Sequence, residues 1–286
     1  MLSMSRGFRI ALVANPESRT GDPRAVAERL HTLGAEVDVF QLGDIERAAS
    51  AGADRIVVAG GDGTVAPAAA AAGAAGRPLA LVPVGTANDF ARRMRVPRDI
   101  AAACRLAVHG TRLHEIELGW MDERPFVNVA SAGLPAPAAR AARAWKKPLG
   151  ALSYATGALL AGLTASAVPV TVQCGSATLF EGRAWQVTVA ASGAFGAGAR
   201  IAEADPHDGV LDVVAVAAGP RPGLVGLAYR LRSGSLGRHR RARQQRCQDA
   251  VVRVPAGTQW NVDGELVTAG SSRFSGQAKA FSLVVA

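Results

Sequence analysis

The residues with the clearest chemical potential are Gly60-Gly61-Asp62-Gly63-Thr64, which follow the apolar run Arg55 to Ala59 and precede an alanine-rich stretch. Three glycines let the backbone turn sharply and approach a ligand closely. The start of the following helix offers unpaired N–H groups and a positive dipole end to phosphate. A carboxylate in such a loop would be repelled by phosphate unless a cation intervened, so Asp62 points to Mg²⁺ bridging to a nucleotide. The spacing is not that of a Walker A loop, because no Gly-Lys-Ser/Thr follows. The plainer reading of these residues is a Gly-Asp-Gly surface turn.

A second loop, Pro83-Val84-Gly85-Thr86-Ala87-Asn88-Asp89-Phe90-Ala91-Arg92, also joins an apolar strand to a helix. Thr86 and Asp89 have the spacing of a capping box, a role they could combine with ligand contact. One such loop is weak evidence; two on neighbouring strands make a site. Near the C-terminus, Asp263-Gly264-Glu265 reads from its residues alone as a hairpin turn with solvated charges. His207-Asp208-Gly209-Val210 reads as a β-turn ahead of a strand.

The elements that must carry these loops alternate in the first third of the chain. Phe8 to Ala14, Glu36 to Phe40, Arg55 to Ala59 and Leu79 to Val82 read as strands. Helices are expected over Arg24 to Leu33 after Asp22 and Pro23, from Ile45, over Ala66 to Ala75, Asn88 to Met94, and Ile100 to Val108 after Asp99. That alternation predicts an α/β domain with a mostly parallel sheet covered on both faces. From about Leu113, short strands crowd together at Pro125 to Ala130, Pro169 to Cys174, Trp185 to Ala191, Val210 to Ala217 and Ala250 to Val254, with a hairpin signal at Gly175-Ser176. This half is expected to be mainly antiparallel β, with helices near Pro137 to Trp145, Ala151 to Ala165 and Pro222 to Arg232. The last strand, Ala280 to Val285, lies beyond a polar Gly/Ser stretch at Gly270 to Gly276 and is expected to return to the first domain. The reading is one α/β domain over 1–112 plus 275–286 and a β domain over 113–274, with the site in the cleft between them.

Composition bounds the rest. The chain has 286 residues, 49% hydrophobic and 19% charged, which fits folded domains rather than disorder. The net charge is +9, almost all from arginine, which favours polyanions or anionic lipid headgroups. Arg238, His239, Arg240, Arg241, Arg243 and Arg246 form a basic cluster able to dock such headgroups. No RNA-stacking motif accompanies it, and with 8 Phe and 2 Tyr a specific nucleic-acid partner is not expected. Cys104, Cys174 and Cys247 are odd in number and widely spaced, so neither a disulfide scaffold nor a zinc site is expected and a reducing cytoplasm fits best. Met1 to Arg9 has no signal-peptide pattern. Pro148 to Phe180 carries no charge, but glycines and polar residues interrupt it, so it reads as a buried or amphipathic helix followed by strands.

The two loops together resemble the catalytic domain of the diacylglycerol kinase family, which includes bacterial soluble lipid kinases and sphingosine kinases. Asn15-Pro16, Phe126 to Gly133, His207 to Asp212 and Val262-Asp263-Gly264-Glu265 extend the resemblance over nearly the whole chain. It implies an N-terminal nucleotide domain, shared in plan with NAD kinases, and a C-terminal β-sandwich for the lipid. It further implies γ-phosphoryl transfer from ATP with Mg²⁺ to a lipid alcohol, diacylglycerol by default, by a cytoplasmic enzyme peripheral to an anionic membrane. A homodimer is left open. Carried over by motif, Asn15, Pro16, Gly60, Gly61, Asp62, Gly63, Thr64, Gly85, Thr86, Asn88 and Asp89 would bind the nucleotide. Glu265 would be the proton acceptor, with Asp263 its nearest rival and Asp62 engaging Mg²⁺-nucleotide. A structural Mg²⁺ would sit on Asp205, Asp208 and Val210.

The sequence departs from the pattern in places. Ala66, Pro67 and Ala68 stand where the family has Asn and then Glu, and Asn15-Pro16-Glu17-Ser18-Arg19 lacks a Gly after Ser. Ser192 to Gly198 replaces an Asn-Gly and triple-Gly run, and Ala204 stands near a usual Pro. An NAD kinase-like enzyme and a non-catalytic lipid or nucleotide sensor are therefore the competing readings.

Overall fold

The computed structural model describes residues 7–14, 22–133, 166–195, 199–201, 204–221, 224, 230 and 233–286. Two compact units emerge, Met1–Leu118 with Lys279–Ala286, and Gly119–Ala278. The first is built from β1 (Phe8–Ala14), α1 (Pro23–Thr32), β2 (Ala35–Gln41), α2 (Ile45–Ser50), β3 (Arg55–Gly60), α3 (Asp62–Ala74), β4 (Leu79–Pro83), α4 (Asp89–Arg93), α5 (Ile100–His109) and most of β5 (Arg112–Met121). The second contains β6 (Arg124–Phe126), β7 (Val129–Gly133), β8 (Val168–Cys174), β9 (Ala177–Ala190), β10 (Ala194–Phe195), β11 (Ala199–Arg200), β12 (Leu211–Ala217), β13 (Ala242–Cys247), β14 (Asp249–Arg253), β15 (Thr258–Val262) and β16 (Glu265–Ala269). The last strand, β17 (Ser272–Val285), contributes to both units. The strand expected only from Ala280 therefore begins at Ser272, because Ser272 to Ser275 find partners on β14 that the Gly/Ser composition conceals.

In the first unit the sheet order is β17-β4-β3-β1-β2, with parallel pairing between β1 and β2, β1 and β3, β3 and β4, and β17 and β4. Every residue of β3 and β4 is buried, as a sheet covered on both faces requires. Ile10, Leu12, Val57, Ala59, Ala80 and Val82 cluster with Val26 and Leu30 of α1 and with Ala103, Cys104 and Ala107 of α5. The two helix starts read from Asp-containing caps hold: Asp22 accepts from Arg24 N–H and Asp99 from Ala102 N–H. The alanine-rich helix starts earlier than expected, at Asp62, so the glycine loop is the helix's own first turn.

The second unit is an antiparallel β-sandwich. The long β9 makes it possible, pairing with β8 through Ala177–Ala184 and with both β7 and β12 further along. Trp260, Phe274 and Phe126 anchor its core, with Phe274 centroids 5.3 Å from Trp260 and 6.4 Å from Phe126. The Gly175-Ser176 hairpin forms as expected. Strand Pro125 to Ala130 is instead broken at Val127-Asn128, whose N–H groups bond a side chain described below. The helices expected at 137–145 and 151–165, and most of the one at 222–232, lie outside the described residues. Among the described residues no helix is long and apolar enough to cross a membrane, and Val168 to Phe180 forms β8 and the start of β9.

The cysteine expectation needs correction. Cys174 at the end of β8 and Cys247 at the end of β13 are paired, with Cα atoms 5.7 Å apart, within the disulfide range. A separation of 73 residues gave no hint of it, since only sheet register brings those strand ends together. Cys104 is free and buried.

Arg55 is 8% exposed at the start of β3. Its guanidinium donates to the carbonyls of Ala107, Val108 and Gly110, closing the C-terminal end of α5, and it lies 5.1 Å from the Phe8 ring centroid. Burial lowers its pKa. Replacing it with Leu leaves buried carbonyls without a donor, and we expect a loss of about 2–4 kcal/mol. Urea unfolding measures this; a change below about 0.5 kcal/mol, the range of ordinary surface substitutions, would contradict the assigned role.

Candidate functional site

The two glycine loops of the first unit are one structure. Both oxygens of the Asp62 carboxylate accept backbone N–H groups from the second loop, Oδ2 from Asp89 at 3.1 Å and Oδ1 from Phe90 at 2.9 Å. Asp62 thus caps α4 from another strand's loop, and the N-cap of that helix is not the Thr86 that the capping-box spacing pointed to. The N-cap of α4 is Asn88, in the left-handed region at φ 50. Its side chain closes a ring with Gly85, accepting from Gly85 N–H at 3.0 Å and donating to Gly85 carbonyl at 2.8 Å. Gly85 has no room for a side chain, because a Cβ there would lie 2.5 Å from Gly61 Cα. The loops touch backbone to backbone, also joined by Val84 N–H donating to Gly60 carbonyl.

Of the predicted nucleotide residues, Gly60 to Thr64, Gly85, Thr86, Asn88 and Asp89 are brought together here, while Asn15 and Pro16 lie outside the described residues. Thr86 is exposed; Thr64 is buried with its hydroxyl donating to Gly61 carbonyl, and Asp89 is buried and paired with Arg92 at 2.9 Å. The 13-residue α3 opens at this surface with its N-cap at Gly61, the orientation that suits an anion. Ala66 and Ala68 are 2% and 0% exposed, so the positions where polar residues were expected are packed as core.

In the second unit, Asp263 and Gly264 form the two-residue turn of the β15–β16 hairpin, with Val262 paired to Glu265. Both have positive φ, 47 and 91, as a type I′ turn demands. The hairpin expectation holds, but the charges differ from solvated ones. Asp263 is 9% exposed and accepts from Val127 N–H at 2.7 Å and from Asn128 and Val129 N–H, each at 2.9 Å. It holds open the break between β6 and β7. Asn128 is tied from the other side by the Ser192 hydroxyl, 2.8 Å from its Oδ1, so the Ser at that departure from the family pattern has a buried partner. Glu265, by contrast, is half exposed and pairs with Arg124 at 3.4 Å. Sequence reasoning missed Arg124; nothing in the spacing links β6 to a hairpin so far along the chain.

The residues expected to hold a structural Mg²⁺, Asp205, Asp208 and Val210, lie on the turn that leads into β12. Asp205 accepts from His207 N–H and Asp208 from Val210 N–H, both local turns. The other Asp208 oxygen is paired with the Arg246 guanidinium, which also lies 3.5 Å from the fully buried Asp212. Hydrogen bonding to Asp208 is the main reason the Arg246 pKa is raised. Among the described residues no group of three His, Cys, Asp or Glu is placed to hold a metal. The basic cluster of the sequence is therefore divided, with Arg246 neutralised and Arg238, Arg240 and Arg243 exposed.

Comparison with known proteins agrees along the whole chain. Residues 9–121 match the diacylglycerol kinase catalytic domain, and residues 128–285 match the YegS C-terminal NAD kinase beta sandwich-like domain. A relative from Pseudomonas putida named "Probable lipid kinase YegS-like" is 33% identical over 279 residues, covering 92% of this chain and 90% of its own. One of the same name from Pseudomonas fluorescens is 30% identical, covering 97% and 95%. Among solved structures, a diacylglycerol kinase from Bacillus anthracis superposes with TM-score 0.76 at 20% identity, covering 99% of this chain and 98% of that one. An NAD kinase from Archaeoglobus fulgidus in complex with ATP gives TM-score 0.53 at 14% identity, covering 96% and 93%. These two share the fold. The domain matches and the full-length relatives together place the chain in the diacylglycerol kinase family of YegS-like proteins, phosphotransferases with an alcohol group as acceptor.

Proposed function

We propose that this chain transfers the γ-phosphoryl group of Mg-ATP to the hydroxyl of a membrane lipid, diacylglycerol-like in class, working at an anionic membrane surface. The observation that carries the reading is the Asp62 cross-link, which fuses two glycine loops into one backbone surface at the start of a long helix. Such a surface suits phosphates, which are bound by backbone N–H groups and a helix dipole without any basic side chain. Asp62 is the carboxylate of this surface that Mg²⁺ arriving with the nucleotide, directly or through one of its waters, would use. Mg²⁺ supplies neutralisation of charge on the transferring phosphoryl group.

Two carboxylates were candidates for the base, and their surroundings separate them. Asp263 anchors three backbone N–H groups and positions a turn; Glu265 is accessible and is oriented by Arg124. In the proposed step the acceptor O–H bond breaks, its proton passes to the Glu265 carboxylate, the alcohol oxygen bonds to the γ-phosphorus, and ADP leaves. A sensor without turnover is the second reading, favoured by the apolar packing of Ala66 and Ala68.

The deciding experiment is transfer of labelled γ-phosphate to a panel of lipid alcohols in anionic mixed micelles, with NAD as a parallel acceptor. We expect a labelled lipid; labelled NADP would favour the NAD kinase-like reading, and ATP binding without product the sensor. Glu265→Gln should reduce transfer by about 10²–10⁴-fold, the usual contribution of a general base, with ATP affinity retained. Wild-type turnover in that variant would remove Glu265 from the role. Asp263→Asn presents a donor to backbone donors, so its expected effect is a stability loss of about 2–3 kcal/mol in urea unfolding. Unchanged stability with abolished turnover would instead make Asp263 the base.

A further inference from the structure

The second unit holds a pocket that the proposed reaction does not use. It is about 150 Å³ in volume, with apolar walls from Trp185, Val216 and Leu224 and polar groups from His239, Arg240 and Arg241. None of the described residues lining it is acidic. The Arg241 backbone N–H donates to His239 Nδ1 at 3.2 Å, which leaves the ring proton on Nε2 and makes that nitrogen a donor. The Arg241 guanidinium donates to Ala218 carbonyl at 2.9 Å and lies over Gly219, where any Cβ would collide with it. Arg240 is exposed and has no ion-pair partner among the described residues. The pocket therefore offers donors and positive charge with no acidic residue among its described lining, a condition that calls for an anion.

Its position separates it from the candidate base. Asp263 N–H bonds Val129 carbonyl, Val129 pairs with Ala190 at one end of β9, and the pocket residues Val216 and Ala217 pair with Gln186 and Ala184. Those six residues of strand span about 20 Å. Burial, and then the charges of Arg230, Arg240 and Arg241, push the His239 pKa down, so the ring lies in a positive field.

We propose that this pocket binds a phosphate mono- or diester carried on an organic body, its phosphate held by His239, Arg240 and Arg241 and its apolar part against Trp185 and Leu224. The same chemistry is offered by the headgroup of an anionic lipid and by a soluble phosphate ester, so both are probed. Co-sedimentation of the full chain with phosphatidylcholine vesicles, with and without phosphatidic acid, reports the lipid; calorimetric titration with glycerol 3-phosphate reports the soluble ester. We expect Arg240→Glu to weaken binding at least tenfold in whichever arm binds, while Arg243→Glu, the same charge change on the exposed side of β13, weakens it less than threefold. Equal losses in the two variants would reduce the site to a diffuse basic surface, and a wild-type chain indifferent to phosphate in both arms would remove the site altogether. Neither arm requires turnover, so the outcome stands apart from that of the kinase assay.

Discussion

Carboxylates accepting backbone N–H groups hold the turns on which the rest of this molecule is mounted. A tight loop exposes N–H groups that no helix or sheet partner reaches, and an aspartate oxygen supplies the acceptor with charge-assisted strength. Asp62 does this for the start of α4 and Asp263 for the break between β6 and β7. In each unit the carboxylate comes from a loop or turn distant in sequence from the one it holds, so a local turn is secured by tertiary structure. The rigidity this confers matters for phosphoryl transfer, where the protein contributes chiefly positioning and electrostatics.

The same principle sorts the arginines of a strongly basic chain. Arg55 is consumed by the carbonyls at the end of α5, and Arg246 by Asp208 and Asp212. Arg124 orients Glu265. What is left facing solvent without an acidic partner among the described residues, Arg240 above all, is where charge can act on a ligand. A net charge of +9 describes none of this division.

The alternation of strand and helix signals up to His109 was legible because buried parallel strands and capped helices write themselves into short windows of residues. The glycine loops, and the Asp-Gly hairpin at 263–264, were legible for the same reason: only certain residues tolerate those backbone angles. Family resemblance then assigned roles to whole motifs at once. It could not distinguish Asp263 from Glu265, since both sit in one three-residue motif and differ only in what the fold places around them.

By itself, then, the sequence determined the class of each half, the phosphate-suited loops and the list of candidate acids and bases, all properties of local pattern. Tertiary structure alone decided that Asp62 clasps the second loop, that Asp263 is an anchor while Glu265 stays accessible, that Arg246 pairs with Asp208 and Asp212, and that Cys174 meets Cys247. Each of these is a contact between side chains or backbone groups far apart in the chain, set by strand register and packing. A hydrogen bond has a range of about 3 Å in space and none along the sequence, so residue spacing carries no record of it.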